Sequence, residues 1–328
     1  MAYFEIPVSA TYRLDFTIWA LRRQAHNRMD GWENDTYWRV LRYGDEWLKV
    51  RLRQIQDHPD SRLKGEIYQG PQDGQAVSWV REQLTWMLGL DRDLIPFYEI
   101  AANDTRLASL AARYRGLRPP RFASIFEGLV NAVACQQLSL HLGILLLNRL
   151  SKLCSVQTGD IDHVYPFPEP SALLQQEVTA LHDLGFSRQK VIALRALAEE
   201  AVAGGLERKD WQILSNGEAM QRLLRLRGIG RWSAEYVLLR ALGRLDVFPG
   251  DDVGARNSLG RWLEESDSLV DYAQITHRLR QWQPYAGMVY FLLLMRRLEG
   301  EGHVRNPADE FSETRMNGQG HEFEPHAT

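Results

Sequence analysis

Residues 226–234, which read LRGIGRWSA, decide the fold of this chain. One helical pattern ends near Leu226, and a second runs over residues 232–242 to Gly243, which we predict as its C-cap. Gly228 and Gly230 let the backbone between them turn tightly and come close to a ligand. The free N–H groups that open the second helix suit a phosphate, although a glycine turn between two core helices has the same pattern.

The charge around this turn differs from that of the whole chain. The 328 residues carry 39 Lys and Arg against 42 Asp and Glu, a net charge of −3. Residues 221–262 instead hold eight arginines against four acidic residues, a local charge of +4. This contrast favours a local contact with nucleic acid over long-range electrostatic attraction.

Two adjacent carboxylates, Asp251 and Asp252, follow the second helix and precede a third predicted helix. One of the two is expected to cap that helix. The helix dipole favours a negatively charged side chain at this end, so the other carboxylate could face a developing cation. The pattern therefore indicates a candidate catalytic group as well as a cap.

At these residues the chain resembles the helix-hairpin-helix DNA glycosylase superfamily, and within it the DNA-3-methyladenine glycosylase II type. The resemblance extends to residues 126–133 (FEGLVNAV), 136–139 (QQLS) and 184–190 (LGFSRQK), and it covers about residues 95–298. It implies a monofunctional enzyme of base excision repair, which flips alkylated bases out of double-stranded DNA and hydrolyses the N-glycosidic bond.

The resemblance also implies roles for individual residues. The family's catalytic aspartate maps onto Asp252, which leaves Asp251 as its neighbour or as the cap. Bifunctional relatives have a lysine at the position of Trp232, where its amine attacks the sugar. Because no Schiff base can form at Trp232, we expect water as the nucleophile, an abasic site as the product and no lyase activity.

Aromatic side chains are the expected pocket for an alkylated base, because electron-rich rings attract a cation. Trp232 and Tyr236, one helical turn apart, match pocket positions of the family, and Trp282 and Tyr285 are further candidates. Each of these rings could instead belong to the core. Gln137 lies where the family inserts a side chain into the gap left by the flipped nucleotide, and a glutamine on a helix surface is the alternative.

The hairpin supplies the predicted DNA-binding residues, namely Gly228, Gly230, Arg231 and Ser233, together with Gln137. The resemblance implies a monovalent cation at the backbone carbonyls of the hairpin, and no cofactor is required. Only two cysteines are present, too few for a structural zinc site or an iron–sulfur cluster built on cysteine alone. We therefore expect no metal site formed by side chains.

The predicted fold class is α+β, mainly α. Residues 1–90 form a small, mainly antiparallel β domain, residues 91–300 an all-α helix-hairpin-helix catalytic domain, and residues 301–328 an acidic disordered tail. Residues 37–53 read as a hairpin around Gly44, with a basic row on one face that could contact phosphates or face solvent: Lys49, Arg51 and Arg53. A further strand is predicted over residues 12–19.

Helix boundaries can be predicted in the second domain. Apolar residues recur at three- and four-residue steps from Phe126 to Leu146, which predicts one long buried helix. Ser171 is expected to cap another helix, and Ser187 is expected to begin an amphipathic one over residues 188–202.

Other protein classes are excluded or disfavoured by composition. With 45% hydrophobic and 25% charged residues the chain is neither fibrous nor wholly disordered, and no apolar run reaches the ~18 residues of a membrane span. We expect a monomer inside the cell, in the bacterial cytoplasm at the nucleoid or in a eukaryotic nucleus. Two alternatives remain: a non-catalytic helix-hairpin-helix binder of DNA structures, and an oxidised-purine glycosylase with lyase activity.

Overall fold

A computed structural model describes residues 1–57, 60–155, 164–263 and 271–305. Five antiparallel strands form one sheet in the order β1-β5-β4-β3-β2. Their bounds are Ala2–Pro7 (β1), Asp30–Glu33 (β2), Thr36–Tyr43 (β3), Glu46–Asp57 (β4) and Asp60–Gln69 (β5). Helices make up most of the remaining described chain, which confirms the predicted fold class.

The hairpin between β3 and β4 is confirmed, with Gly44 in the left-handed region at φ 54°. The basic row on β4 does not form a free phosphate-binding face. Lys49 is buried and donates to the Gln69 side chain on the neighbouring strand, and Arg51 forms an ion pair with Glu66. The Lys49 and Arg51 side chains therefore join β4 to β5.

The strand predicted over residues 12–19 is wrong, because this segment contains the helix Leu14–Arg22 (α1). Leu14, Phe16 and Ile18 alternate as in a strand, but every residue of α1 except Asp15 is buried. A segment buried on nearly all sides has no polar face from which a helical period could be read. Arg23 ends the helix with φ 64°.

Fourteen further α-helices follow in the described residues. They are Gly74–Met87 (α2), Ile95–Ala102 (α3), Thr105–Arg113 (α4), Ile125–Cys135 (α5), Leu140–Cys154 (α6), Pro170–Leu174 (α7), Val178–Asp183 (α8), Arg188–Val202 (α9), Arg208–Gln212 (α10), Asn216–Leu224 (α11), Arg231–Arg240 (α12), Val253–Trp262 (α13), Tyr272–Leu279 (α14) and Ala286–Gly300 (α15). A short 3₁₀ helix, Arg280–Trp282, joins the last two. Within the described part of the chain, no helix is long and apolar enough to cross a bilayer.

The single long helix predicted through residues 126–146 is two helices, α5 and α6. Gln137, at φ 54°, breaks the helical path, and Ser139 caps α6 by accepting the N–H of Leu142. The hydrophobic period continues across the break because both helices bury one face in the same core. The alternative that placed Gln137 on a helix surface is therefore wrong.

Of the other predicted helix ends, one is confirmed and two differ from the structure. Ser187 caps α9 as expected, and its side chain accepts the N–H of Lys190. Ser171 lies inside α7, whose N-cap is Glu169. The C-cap of α12 is Ala241, two residues before Gly243. Gly243 has φ 69°, so it turns the chain just after the helix rather than ending it.

A buried ion network joins the sheet to α5. Arg39 on β3 donates to Asp30 at 2.7 Å and to Glu127 on α5 at 2.6 Å, and all three side chains are almost fully buried. Tyr37 donates a further hydrogen bond to Asp30 at 2.8 Å. Because both carboxylates bind the same guanidinium group, the network fixes α5 against the sheet.

Side chains of the sheet and of the central helices share one hydrophobic core, and a second core lies among α1, α3, α4 and α13–α15. A domain boundary near residue 90 stays a prediction. Of the predicted acidic tail, residues 306–328 lie outside the described residues.

Candidate active site

The hairpin between α11 and α12 contains two glycines with different structural roles. Gly228 has φ 80°, and a Cβ there would lie 2.6 Å from the Ala193 Cβ atom of α9. Only glycine fits this position. Gly230 is the N-cap of α12 in an extended conformation, and a Cβ there would meet no atom within 4 Å. Gly230 therefore leaves open space in front of the helix.

Gln136, just after α5, ties the hairpin to the turn that holds Gln137. Its side-chain amide donates to the Gly228 carbonyl at 2.8 Å and to the Ser233 hydroxyl at 3.0 Å. Ser233 is only 1% exposed, so its side chain faces the protein and not a bound strand. The Ser233 hydroxyl thus forms an internal hydrogen bond, and a contact of Ser233 with DNA stays a prediction.

The start of α12 has no side-chain cap. Its first N–H groups therefore point out of the helix at the positive end of the helix dipole. Arg225, Arg227 and Arg231 are exposed around this end. Three other arginines in the +4 segment do not add to this surface, because they donate to carbonyl groups of the fold: Arg222 to Gly205, Arg240 to Leu21 and Arg244 to Leu214.

A monovalent cation at the hairpin carbonyls stays a prediction. The Leu226 carbonyl accepts the N–H of Ile229 at 3.2 Å, and the Gly228 carbonyl accepts the Gln136 amide. Each of these oxygens keeps one lone pair for a further ligand. Among the residues that the structure describes, no cluster of three or more His, Cys, Asp or Glu could hold a metal ion.

Asp252 is the N-cap of α13, and it also contacts the first turn of α12. Its Oδ1 accepts the N–H of Ala255 at 2.8 Å, and its Oδ2 accepts the indole N–H of Trp232 at 3.0 Å. Asp251 points elsewhere and pairs with Arg231 at 3.0 Å. The two carboxylates are thus separated by their contacts, and Asp252 is the one directed at the aromatic side chains.

Asp252, Trp232 and Tyr236 meet in one cavity of about 310 Å³. The rings of Trp232 and Tyr236 are stacked, with centroids 5.6 Å apart and planes 24° from parallel. The other lining residues come from the α1 end, the α5–α6 turn, α13 and α15: Arg23, Cys135, Leu138, Ser139, Leu140, Gly254, Ala255, Ser258, Tyr290, Leu293, Leu294 and Arg297. The cavity has the size of a ligand pocket.

Arg23, which no sequence pattern indicated, is a buried cation in the wall of this cavity. Its guanidinium group donates to the Tyr236 hydroxyl and, at 2.6 Å, to the Asn131 side chain of α5. Burial raises the pKa of Tyr236, while the nearby arginines Arg23 and Arg240 oppose that rise. The Tyr236 phenol therefore stays neutral and fixed in place. No local motif marks Arg23, because its partners lie more than 100 residues away.

Trp282 and Tyr285 do not reach the cavity, which corrects the sequence-based expectation. Trp282 is 1% exposed, packs against Trp262 and donates its indole N–H to Asp104 at 3.1 Å. Tyr285 contacts Phe97 of α3. In their place α15 supplies Tyr290, Leu293 and Leu294, which an apolar helical pattern does not distinguish from core.

Gln137 and Leu138 form the turn beside the cavity. Gln137 is exposed and held at φ 54°, a conformation that non-glycine residues seldom adopt. Leu138, 40% exposed, lines the cavity itself. Backbone strain at an exposed turn next to a cavity is typical of a binding element.

Comparison with known proteins supports the family resemblance. Residues 130–284 match the profile described as HhH-GPD superfamily base excision DNA repair protein. The chain is 28% identical over 276 residues to the DNA-3-methyladenine glycosylase of Bacillus subtilis, covering 81% of this chain and 88% of that one. Residues 130–284 therefore correspond to a domain of the HhH-GPD superfamily, and the family resemblance that includes residues 226–252 is confirmed.

Two solved structures share this architecture. The 3-methyladenine DNA-glycosylase from Archaeoglobus fulgidus superposes with a TM-score of 0.75 at 23% identity, over 90% of this chain and 98% of that one. At this identity the match shows the fold alone. The 3-methyladenine DNA glycosylase of Schizosaccharomyces pombe, solved in complex with abasic DNA, has a TM-score of 0.52 and 25% identity, over 60% and 94% of the two chains.

Proposed function

We propose that this protein is a monofunctional DNA glycosylase, which excises alkylated bases of the 3-methyladenine type by hydrolysis of the N-glycosidic bond. One observation carries the proposal: the Asp252 carboxylate and the Trp232–Tyr236 ring stack lie in the same cavity, beside a hairpin whose helix end is free to bind phosphate. The names of the similar proteins agree with this chemistry.

The cavity suits a base that already carries positive charge. A purine alkylated on a ring nitrogen is a cation and a good leaving group, so little acid catalysis is needed. The stacked rings of Trp232 and Tyr236 attract such a cation by about 0.5–2 kcal/mol each. Selectivity for damaged bases then follows in part from charge, since a normal neutral base gains no such attraction.

Asp252 supports bond cleavage from the side of the sugar. As the base leaves, positive charge develops on the sugar in an oxocarbenium-like transition state. A carboxylate held by the α13 N-terminus and by the Trp232 indole cannot turn away, so it needs no reorganisation when that charge appears. Water then attacks the sugar and leaves an abasic site.

DNA binding uses the hairpin and the turn beside the cavity. The open N-terminus of α12, with Arg225, Arg227 and Arg231 around it, suits a backbone phosphate. Gln137 and Leu138 project from the α5–α6 turn, where they could enter the gap that a flipped nucleotide leaves behind. Gln136 couples these two surfaces, so both would engage one duplex in a fixed geometry.

Replacing Gly230 by leucine is expected to weaken DNA binding by about tenfold or more, because the side chain would fill the space in front of α12 where a phosphate would bind. Damaged and undamaged duplexes should be affected alike, since phosphate contacts carry no sequence information. A Cβ at this position meets no protein atom, so the fold should keep its melting temperature. Fluorescence anisotropy with both duplexes measures the effect. Unchanged affinity for both would reduce the hairpin to a structural turn.

The reaction is tested with duplexes that contain 3-methyladenine, hypoxanthine or 8-oxoguanine, each incubated with and without hot alkali. We expect the 3-methyladenine strands to stay intact until alkali cleaves the abasic sites, and borohydride to trap no protein–DNA adduct. The reason is that no described residue lining the cavity is a lysine. The Lys190 amine instead donates to the Ala134 carbonyl at 3.0 Å.

Other outcomes identify the alternatives. Borohydride-dependent crosslinking, or nicking of 8-oxoguanine duplexes without alkali, would indicate a glycosylase with lyase activity. Binding to distorted DNA with no base release from any duplex would indicate a non-catalytic binder.

A further inference from the structure

Glu235 lies on a second face of α12, next to the face that carries Trp232 and Tyr236. It is 3% exposed, and each of its carboxylate oxygens has a partner from another part of the chain. Oε2 accepts the backbone N–H of Gly250 at 3.0 Å, and Oε1 accepts the Tyr272 hydroxyl at 2.6 Å. A buried carboxylate is costly unless paired, and here it links α12, the segment before Asp252 and α14.

Further contacts hold the same segment, residues 249–251. Arg231, one turn before Glu235 on α12, pairs with Asp251 at 3.0 Å and lies 4.5 Å from the centre of the Tyr272 ring. The Tyr272 ring also packs on Gly250, where a Cβ would lie 2.7 Å from the ring. The backbone immediately before Asp252 is thus held from α12 and from α14.

We propose that Glu235 is a positioning residue, which fixes the Asp252 carboxylate against the base pocket by binding the Gly250 N–H. This inference rests on the proposed glycosylase function. Helix α12 carries both the rings that would stack on the base and the carboxylate that holds the Asp252 segment. One rigid helix therefore sets the distance between the leaving base and the charge that faces the sugar.

The positioning role predicts that the shape and hydrogen bonds of residue 235 matter more than its charge. In Glu235→Gln the amide oxygen can still accept the Gly250 N–H, and the amide N–H₂ can donate to Tyr272, whose hydroxyl then accepts. Excision by Glu235→Gln is expected within about threefold of the wild type, because both bridges remain. Glu235→Ala loses both bridges, and a misplaced Asp252 should lower the single-turnover rate by about 100-fold.

Tyr272→Phe provides the variant with the smallest structural change, and the chain offers a matched control. Tyr114 donates to Glu299 at 2.6 Å, just as Tyr272 donates to Glu235 at 2.6 Å, but Glu299 pairs with Arg113, whereas Glu235 binds the Gly250 N–H before Asp252. Tyr114→Phe removes the same kind of hydrogen bond away from Asp252. We expect Tyr272→Phe to lower the excision rate about tenfold and Tyr114→Phe to leave it unchanged, with similar losses in melting temperature.

Two readouts separate positioning from a merely structural role. Affinity for a duplex with an abasic-site analogue should change less than about threefold in Tyr272→Phe, so the loss falls on the rate of the chemical step. Amide hydrogen exchange at residues 250–255 should accelerate in Glu235→Ala and in Tyr272→Phe, but not in Tyr114→Phe.

Several results would overturn the inference. Equal excision rates for Tyr272→Phe and Tyr114→Phe would do so, as would a loss in Glu235→Gln as large as that in Glu235→Ala, which would indicate a role for the charge. Hydrogen exchange does not depend on catalysis. If the wild type excised no base, the proposed function would fail, while altered exchange would still show that Glu235 holds the segment.

Discussion

Asp252→Asn is expected to lower the rate of base excision by about 1000-fold or more, which makes it the largest single effect predicted for this protein. Asparagine is as good an N-cap as aspartate and can still accept the Ala255 N–H. The substitution therefore removes the negative charge that would face the sugar, together with the acceptor of the Trp232 indole N–H, and leaves α13 intact. Single-turnover excision from a 3-methyladenine duplex, resolved on a gel after alkali, measures the loss.

The neighbouring carboxylate supplies the control for this experiment. Asp251→Asn removes an ion pair with Arg231 that is partly exposed on both sides and worth about 0–1 kcal/mol. Its excision rate should stay within about threefold of the wild type. Both variants should bind the duplex nearly as tightly as the wild type, because the hairpin contacts lie elsewhere. If Asp251→Asn abolished excision and Asp252→Asn did not, the catalytic carboxylate would be Asp251 instead of Asp252.

Substitutions at Trp232 are expected to have the second-largest effect, since this side chain both orients Asp252 and stacks on Tyr236. Trp232→Phe keeps a ring but loses the indole N–H, and a lost hydrogen bond to a charged group should cost about 10-fold to 100-fold in rate. Trp232→Ala loses the ring as well, and its excision rate should be about 100-fold to 1000-fold lower than that of the wild type. The same single-turnover assay measures both rates.

Trp282→Phe is the matched control for Trp232→Phe. Its indole N–H also donates to an aspartate, Asp104 at 3.1 Å, but the side chain lies in the core outside the cavity. Loss of the Trp282–Asp104 hydrogen bond should lower the melting temperature of the variant. It should not lower the excision rate at a temperature where the variant is folded. Equal losses of activity at Trp232 and Trp282 would contradict the assignment of the cavity.

The parts of the site that could be predicted from sequence are those coded by local spacing. Gly228 and Gly230 in one turn, and Asp252 at the start of the next helix, are features of a short stretch whose geometry follows from helix ends. The number of arginines near the hairpin in sequence was a less reliable guide to its exposed positive surface. Eight arginines surround the hairpin in sequence, but Arg222, Arg240 and Arg244 donate to backbone carbonyls of the fold and do not face outward.

The parts that could not be predicted depend on tertiary contacts. Arg23 reaches Tyr236 only because α1 is buried between the sheet and the helices. The alternating apolar residues of α1 had instead predicted a strand. Trp282 and Trp232 are both aromatic residues next to helix ends, yet only one faces the cavity, because orientation is set by packing partners distant in sequence. The break at Gln137 was hidden because α5 and α6 bury their apolar faces in one core.

The ion network around Arg39 limits how this protein can be shortened or recombined. A fragment without the sheet would leave the Glu127 carboxylate without its guanidinium partner, whereas a fragment without α5 would leave Arg39 paired with Asp30 alone. Breaking such a buried pair typically costs about 3–5 kcal/mol, a large part of the stability of a domain. The helices around the cavity therefore depend on the sheet for their stability, and a transplanted hairpin would lack the scaffold that holds Asp252.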